Sequence, residues 1–288
     1  ALYRAKENGR NNYQLYSSNL TTKVGKYLTL ENRLYQALEK GEFEIYYQPK
    51  VNIKNWEIKG MEALLRWNHP ELGLVAPNTF IPIAEENGLI LPIGEWTLRR
   101  ACQQNKIWHN MGWSNLRIAV NLSARQFQQE NLVKKIVHCL DETGLEPQFL
   151  ELEITEATCM QDVELTKQVL TELQNLGISI AMDDFGTGYS SLSYLKNFPL
   201  NILKIDKSFV QNLTMAPYEQ AIAQAIMALG QGLNLSIVAE GVETKEQLDF
   251  LQSLDCQEIQ GNFFSPPLPS QKVTRLMQKK RLHVIRSA

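Results

Sequence analysis

"ISIAMDDFGTGYSSL", Ile178 to Leu192, is the stretch that decides the fold. Ile178-Ser179-Ile180-Ala181-Met182 is an apolar run of strand length that stops at two adjacent carboxylates, Asp183 and Asp184. A polar loop with Gly186 and Gly188 follows, then a helix start. Like charges side by side repel, and neither is readily desolvated unpaired, so a cation must meet them. As a dinucleotide-binding fingerprint the loop is weak, because the third glycine is missing. The two glycines suit an ordinary strand–helix turn as well as a backbone that approaches phosphate or metal closely.

The same alternation recurs outward in both directions from about Glu44. Strands are predicted at Glu44–Val51, Ile58–Trp67, Leu116–Leu122, Phe149–Ile154, Ile178–Met182, Ile202–Ile205, Ser236–Ala239 and Glu258–Phe263. Helical periodicity covers Ile93–Asn110, Ala124–Thr143, Asp162–Leu176, Tyr218–Gly232 and Lys245–Leu254, and Gly144 and Gly177 stand where helix ends need glycine. Eight strands with helical crossovers predict a closed, mainly parallel α/β barrel. The short polar "NIKNWE" turn between the first two strands predicts a hairpin, with one strand antiparallel to the rest. An open doubly wound sheet is the competing architecture.

The first residues stand apart. "ALYRAKENGRNNYQLY" reads as a helix capped by Gly9 and a short strand, Asn12–Tyr16, followed by a polar linker. It is either a decoration of the barrel or, as we prefer, the tail of a preceding domain. The chain opens with Ala inside a helix-like stretch, so it reads as a piece of a larger protein, which leaves room for a membrane anchor upstream. A net charge of −2 without a long basic block argues against binding long nucleic acid. Cys102, Cys139, Cys159 and Cys256 are scattered, which suits a reducing cytoplasmic setting and neither a disulfide framework nor a zinc ribbon. No apolar run approaches a membrane span.

A barrel of this kind keeps its chemistry at the carboxyl ends of its strands. The polar residues fall there: Glu62 and Arg66 on the second strand, Asn121 on the third, Glu153 and Glu156 on the fourth, Asp183 and Asp184 on the fifth. Lys204 and Asp206 follow on the sixth, Glu240 and Glu243 on the seventh, Gln260 on the eighth. One charged residue after a strand is usually a solvated loop residue or a helix cap, but seven strands in succession require cations at one mouth. Hard oxygen donors without His or Cys suit Mg²⁺ or Mn²⁺, and a pair of ions sharing Asp183 would hold the adjacent aspartates and suit attack of water on a phosphodiester. His69, before Pro70, reads as a turn residue, and His109, His138 and His283 read as helix surface.

The runs "YYQPKV", "EALLRW", "NLS", "ELEITE", "DDFGTGYSSLSYL", "LKIDKSFV", "VAEGVET" and "QGNFFSPP", in this order from about Leu30 to Met277, resemble the EAL domain of cyclic di-GMP phosphodiesterases. The leading segment, residues 1–18, is similar to the end of a GGDEF domain, with 19–29 as linker and 30–288 as the EAL barrel. The resemblance implies a TIM-like (βα)8 barrel whose first strand is antiparallel, and hydrolysis of cyclic di-GMP to linear pGpG with Mg²⁺ or Mn²⁺. It implies that Glu62, Asn121, Glu153 and Asp183 bind one metal, and that Asp183 and Asp184 serve a second with Glu240 close by. Lys204 would orient or deprotonate the attacking water. Asp206 would support that site, Gln260 the second metal's water, and Gln48 and Arg66 the substrate. Glu156 would tether the glycine loop. A homodimer with loop 184–191 and its following helix near the interface is also implied, as are upstream GGDEF and sensor domains.

Three positions depart from the family's pattern. Asn262 stands in place of Tyr, Pro266 in place of Lys or Arg, and Asp255 in place of Gly. Neither Asn262 nor Pro266 is at a metal-ligand position, so chemistry is expected to survive, with substrate affinity or the barrel rim altered; Asp255 reads as a surface position. The competing functions are a receptor that binds cyclic di-GMP without cleaving it, and an unrelated metal-dependent barrel enzyme acting on sugar phosphates.

Overall fold

The computed structural model describes residues 30–187, 195–213 and 217–287. The segment read as the end of a preceding domain and its linker lie outside the described residues, as does most of the loop after Gly186.

The strands are β1 (Phe43–Asn52), β2 (Ile58–His69), β3 (Gly73–Val75), β4 (Arg117–Asn121), β5 (Leu150–Thr155), β6 (Ser179–Phe185), β7 (Ile202–Ile205), β8 (Ser236–Ala239), β9 (Glu258–Ile259) and β10 (Leu268–Pro269). Two compact units divide them. The smaller comprises residues up to Glu44 and Arg66–Ile90. It holds a helix at 30–37, the end of β2 hairpinned to β3, and the helix Pro77–Asn87. Trp67 packs edge-on against Phe80 at 5.7 Å between ring centres and donates Nε1–H to Glu42. His69 ends β2 and accepts the backbone N–H groups of Glu71 and Leu72 through Nδ1, the turn role expected of it.

The larger unit, Ile45–Leu65 with Leu91 onward, is the barrel. Parallel pairing runs β2–β4–β5–β6–β7–β8–β9, while β1 lies antiparallel to β9 and also pairs with β2. That last pairing closes the ring and rules out the open doubly wound sheet. The fold is a TIM-like (βα)8 barrel with its first strand antiparallel.

Strand alternation sorts the side chains. On β5, Leu150, Leu152 and Ile154 enter the main hydrophobic cluster, while Glu151 and Glu153 take the opposite face. A small separate cluster, Ala181, Ile202 and Val238, comes from three neighbouring strands, β6, β7 and β8. Each large aliphatic side chain buried this way contributes about 1.5–3 kcal/mol before entropy is charged.

Several predicted elements differ in extent. The expected helix Ala124–Thr143 is two helices, Ala124–Phe127 and Leu132–Thr143. The buried residues Phe127 and Leu132 are five apart, so one continuous helix would turn them to different faces. Helix Pro77–Asn87 is not among the predicted elements; Pro77 occupies its favourable first turn. The eighth strand is two residues long and not six, since the chain turns out of the sheet at 261–264. His109 is a correction: it is half-buried, with Nε2 2.8 Å from Leu116 O and its ring edge-on to Phe149. His138 is exposed as expected; the side chain of His283 lies outside the described ones. All four cysteines are free and buried. Asp255 is exposed but adopts φ 56°, the left-handed region. No helix among the described residues is long and apolar enough to cross a membrane.

Candidate active site

Lys204, on β7, is fully buried, and four carboxylates from other strands surround its ammonium. Nζ lies 2.7 Å from Glu153 Oε2, 3.1 Å from Asp183 Oδ1, 2.5 Å from Glu240 Oε1 and 3.9 Å from Glu62 Oε2. Adjacent parallel strands bring these groups to one level. Asn121 and Glu153 are register partners on β4 and β5, and Lys204 pairs with Val238 two residues before Glu240.

Glu62 is held from two sides. Asn121 Nδ2 donates to its Oε1 at 2.7 Å, and Gln260 Nε2 donates to its Oε2. Gln260 Nε2 also reaches Gln48 Oε1 at 3.1 Å, and Gln48 Nε2 donates to Ser265 O at 3.1 Å. Gln260 Oε1 is buried with no hydrogen-bond partner.

Asp183 and Asp184 sit in a bulge. Between the pairs Met182–Leu203 and Phe185–Ile205, β6 carries one residue more than β7, and Asp184 has φ 53°. Successive strand residues normally face opposite ways, so without the bulge only one aspartate would reach the mouth. With it, Asp183 meets Lys204, while burial, then the nearby charges of Asp183 and Asp206, raises the pKa of Asp184. Asp206 also caps the helix Lys207–Gln211 by accepting from Ser208 N at 2.9 Å. Glu156 Oε2 accepts Gly186 N–H at 3.3 Å, a tether at the start of the glycine loop.

The profile of the family described as the EAL domain matches residues 31–267. The chain belongs to the EAL domain family. The chain is 46% identical to the bifunctional diguanylate cyclase/cyclic di-GMP phosphodiesterase MucR of Pseudomonas aeruginosa over 273 residues, 95% of this chain and 40% of MucR. It is 44% identical to the cyclic di-GMP phosphodiesterase NbdA of the same organism over 269 residues, 93% of this chain and 34% of NbdA. The chain therefore spans well under half the length of these relatives. Among solved structures, the PaMucR phosphodiesterase in complex with c-di-GMP matches with a TM-score of 0.83 and 47% identity, over 85% of this chain and 99% of that one.

The larger unit brings together the expected site residues other than Arg66 and Glu243. Arg66 lies on the last part of β2, which belongs to the smaller unit. Glu243 is exposed and accepts Asn262 Nδ2 at 3.4 Å, so the departure at 262 still makes a link at the rim. Pro266 is exposed. Two residues at the site were missed from the sequence. Lys50, on β1, donates to Glu153 Oε1 at 2.5 Å and to Glu151 Oε1. The spacing "ELE", which places Glu151 and Glu153 on one face of β5, was the available signal.

Electrostatically the site is short of positive charge. Glu62, Glu151, Glu153, Asp183 and Glu240 share the two ammoniums of Lys50 and Lys204. Burial, then Glu153 and Asp183, raises Glu62 to about 7 against the pull of Lys204. Burial outweighs Lys204 at Glu240 and raises it to about 8. Glu153 goes the other way, to about 2, because Lys204 and Lys50 overcome its burial. Burial opposes the charge of Lys204, yet Glu153, Glu240, Glu62 and Asp183 hold its pKa well above the ordinary lysine range.

Hard oxygen donors, surplus negative charge and the unpartnered Gln260 carbonyl fit a divalent cation. Among the described residues no three His, Cys, Asp or Glu side chains are set around a common point to grip one as they stand, and the Lys204 ammonium occupies the centre of the cluster.

Proposed function

We propose that this EAL domain hydrolyses cyclic di-GMP to linear pGpG with Mg²⁺ or Mn²⁺, in two sites, and so ends a second-messenger signal. The observation that carries the reading is the buried Lys204 ammonium among carboxylates from β2, β5, β6 and the end of β8. Relatives with phosphodiesterase names and the matched c-di-GMP complex support the substrate.

Glu62, Asn121, Glu153 and Asp183 would hold one ion, and Asp183 and Asp184 a second with Glu240. Bound there, a divalent ion supplies a water of lowered pKa and charge against the non-bridging phosphate oxygens. The chain's own residues do the rest. Lys204 Nζ is a fixed donor and positive charge beside the place where water attacks, held among its carboxylates to orient or deprotonate that water. Gln260 and Asn121 keep Glu62 in one rotamer. Gln48, half-buried beside Gln260, offers a polar contact to the substrate. Asp206, fixed by Ser208 at the start of its helix, supports the site beside the bulge. Glu156 ties the bulge to the glycine loop.

The domain works as a homodimer in the cytoplasm, downstream of GGDEF and sensor domains. Purified chain with Mg²⁺ or Mn²⁺ should convert cyclic di-GMP to pGpG by chromatography, and excess chelator should stop it. Binding without product, with either metal, would replace this reading by that of a receptor. Light scattering at micromolar concentration checks the dimer; a fully active monomer refutes it.

A further inference from the structure

Beneath the mouth, the barrel interior holds two charged side chains to which none of the roles above is assigned. Lys50 is 2% exposed and Glu151 3%. Lys50 Nζ spans Glu151 and Glu153, meeting Glu153 at Oε1, while Lys204 meets Glu153 at Oε2. Glu153 is thus clamped, with one ammonium on each oxygen.

Taking Lys50 and Glu151 out of water is costly, and an apolar pair of similar volume is often as stable or more so. A pair kept there despite that cost needs another purpose, and the geometry supplies one. Glu151 and Glu153 share a face of β5, so Glu151 holds Lys50 at the height at which Nζ reaches only the inner oxygen of Glu153. The outer oxygen is left facing Lys204 and the mouth.

We infer that Lys50, seated by Glu151, is a positioning residue that fixes the Glu153 carboxylate with Oε2 toward the cation site. The inference rests on the reading above for the identity of that cation. Ligands held by such outer hydrogen bonds bind metal about 10–100-fold more tightly than the same ligands left loose.

The test removes the pair charge for charge, with Lys50→Met/Glu151→Leu in the full chain, so that the interior keeps its net charge. Mn²⁺ half-saturation is read from the shift in melting temperature without substrate, and kcat and KM are then measured on cyclic di-GMP. The expected double variant is folded, needs about tenfold more Mn²⁺, loses kcat by a similar factor and keeps KM within about twofold. A folded double variant with wild-type Mn²⁺ half-saturation and kcat overturns the inference and leaves the pair a structural one. Should the double variant fail to fold, Glu151→Gln keeps the shape and loosens only the seat of Lys50. About threefold weaker Mn²⁺ binding is then expected, and an unchanged value overturns the inference. A wild-type chain that binds Mn²⁺ but cleaves no cyclic di-GMP refutes the phosphodiesterase reading alone, since the Mn²⁺ comparison stands without it. A wild-type chain with no Mn²⁺-dependent shift overturns both.

Discussion

Gln260 and Glu62 stand 198 residues apart in the chain, yet the amide Nε2 of Gln260 donates directly to Glu62 Oε2. One hydrogen bond thereby joins the end of the barrel's last strand to its second, across β1.

That bond depends on Gly261. A Cβ there would lie 2.1 Å from Val242 O and 2.4 Å from Val242 N, both backbone atoms that cannot swing aside. Gly261→Ala should cost about 3 kcal/mol in urea unfolding and pull Gln260 off Glu62, lowering turnover in the protein that remains folded. Wild-type stability and rate would show that the segment yields.

Lys204→Met should lower kcat about 10²–10⁴-fold, the usual worth of a positioned proton donor or acceptor. It also strips Glu62, Asp183 and Glu240 of their ion-pair partner and leaves Glu153 with Lys50 alone. The variant should melt below wild type in chelator, and the gap should narrow in Mn²⁺, since an added cation replaces the missing charge. A gap indifferent to Mn²⁺ would mean that the cation does not bind among these groups.

Glu258, on β9 away from the cluster around Lys204, gives a pH test. Burial raises its pKa above the ordinary 4.5, although Arg117 opposes the shift. The folded state keeps a proton that the unfolded chain releases. Stability from this group is therefore complete below the ordinary pKa and is lost as pH rises through the folded pKa. Glu258→Gln cannot ionise, so its melting temperature relative to wild type should rise as pH climbs from below the ordinary carboxyl pKa through the raised folded one. Parallel pH curves for the two proteins would show that the carboxyl titrates normally.

Asp255 holds φ 56°, a conformation that an L side chain adopts at a cost and glycine adopts freely. Its ion pair with Lys54, 3.8 Å long and exposed on both sides, returns little. Asp255→Gly should raise stability by a few tenths to about 1 kcal/mol, the gain being trimmed by a looser unfolded chain, with turnover unchanged. A loss of stability would show that the Asp side chain contributes more than the strain costs.

The departure at Asp255 also shows how far the sequence could be read. Its surface position was legible, and its left-handed backbone was not, because φ at one turn follows from how the helix Lys245–Ser253 must hand over to β9. Lys50 was hidden likewise. A lysine in "YYQPKV" gives no sign of burial until β1 is known to run antiparallel and to close the ring.

Local order was fixed by the sequence alone. Period-two and period-3.6 patterns set which segments became strands and helices and which face of each met the core, because those preferences act between near neighbours along the chain. Oxygen chemistry at the strand ends could be seen there too. Tertiary structure decided what no local pattern contains: that β1 and β2 pair to close the sheet, that a bulge turns both Asp183 and Asp184 to one mouth, and that two lysines seize opposite oxygens of Glu153. Those distances depend on register and closure summed around a whole ring of strands, and a shift of one residue in any pairing would reverse which side chains face inward.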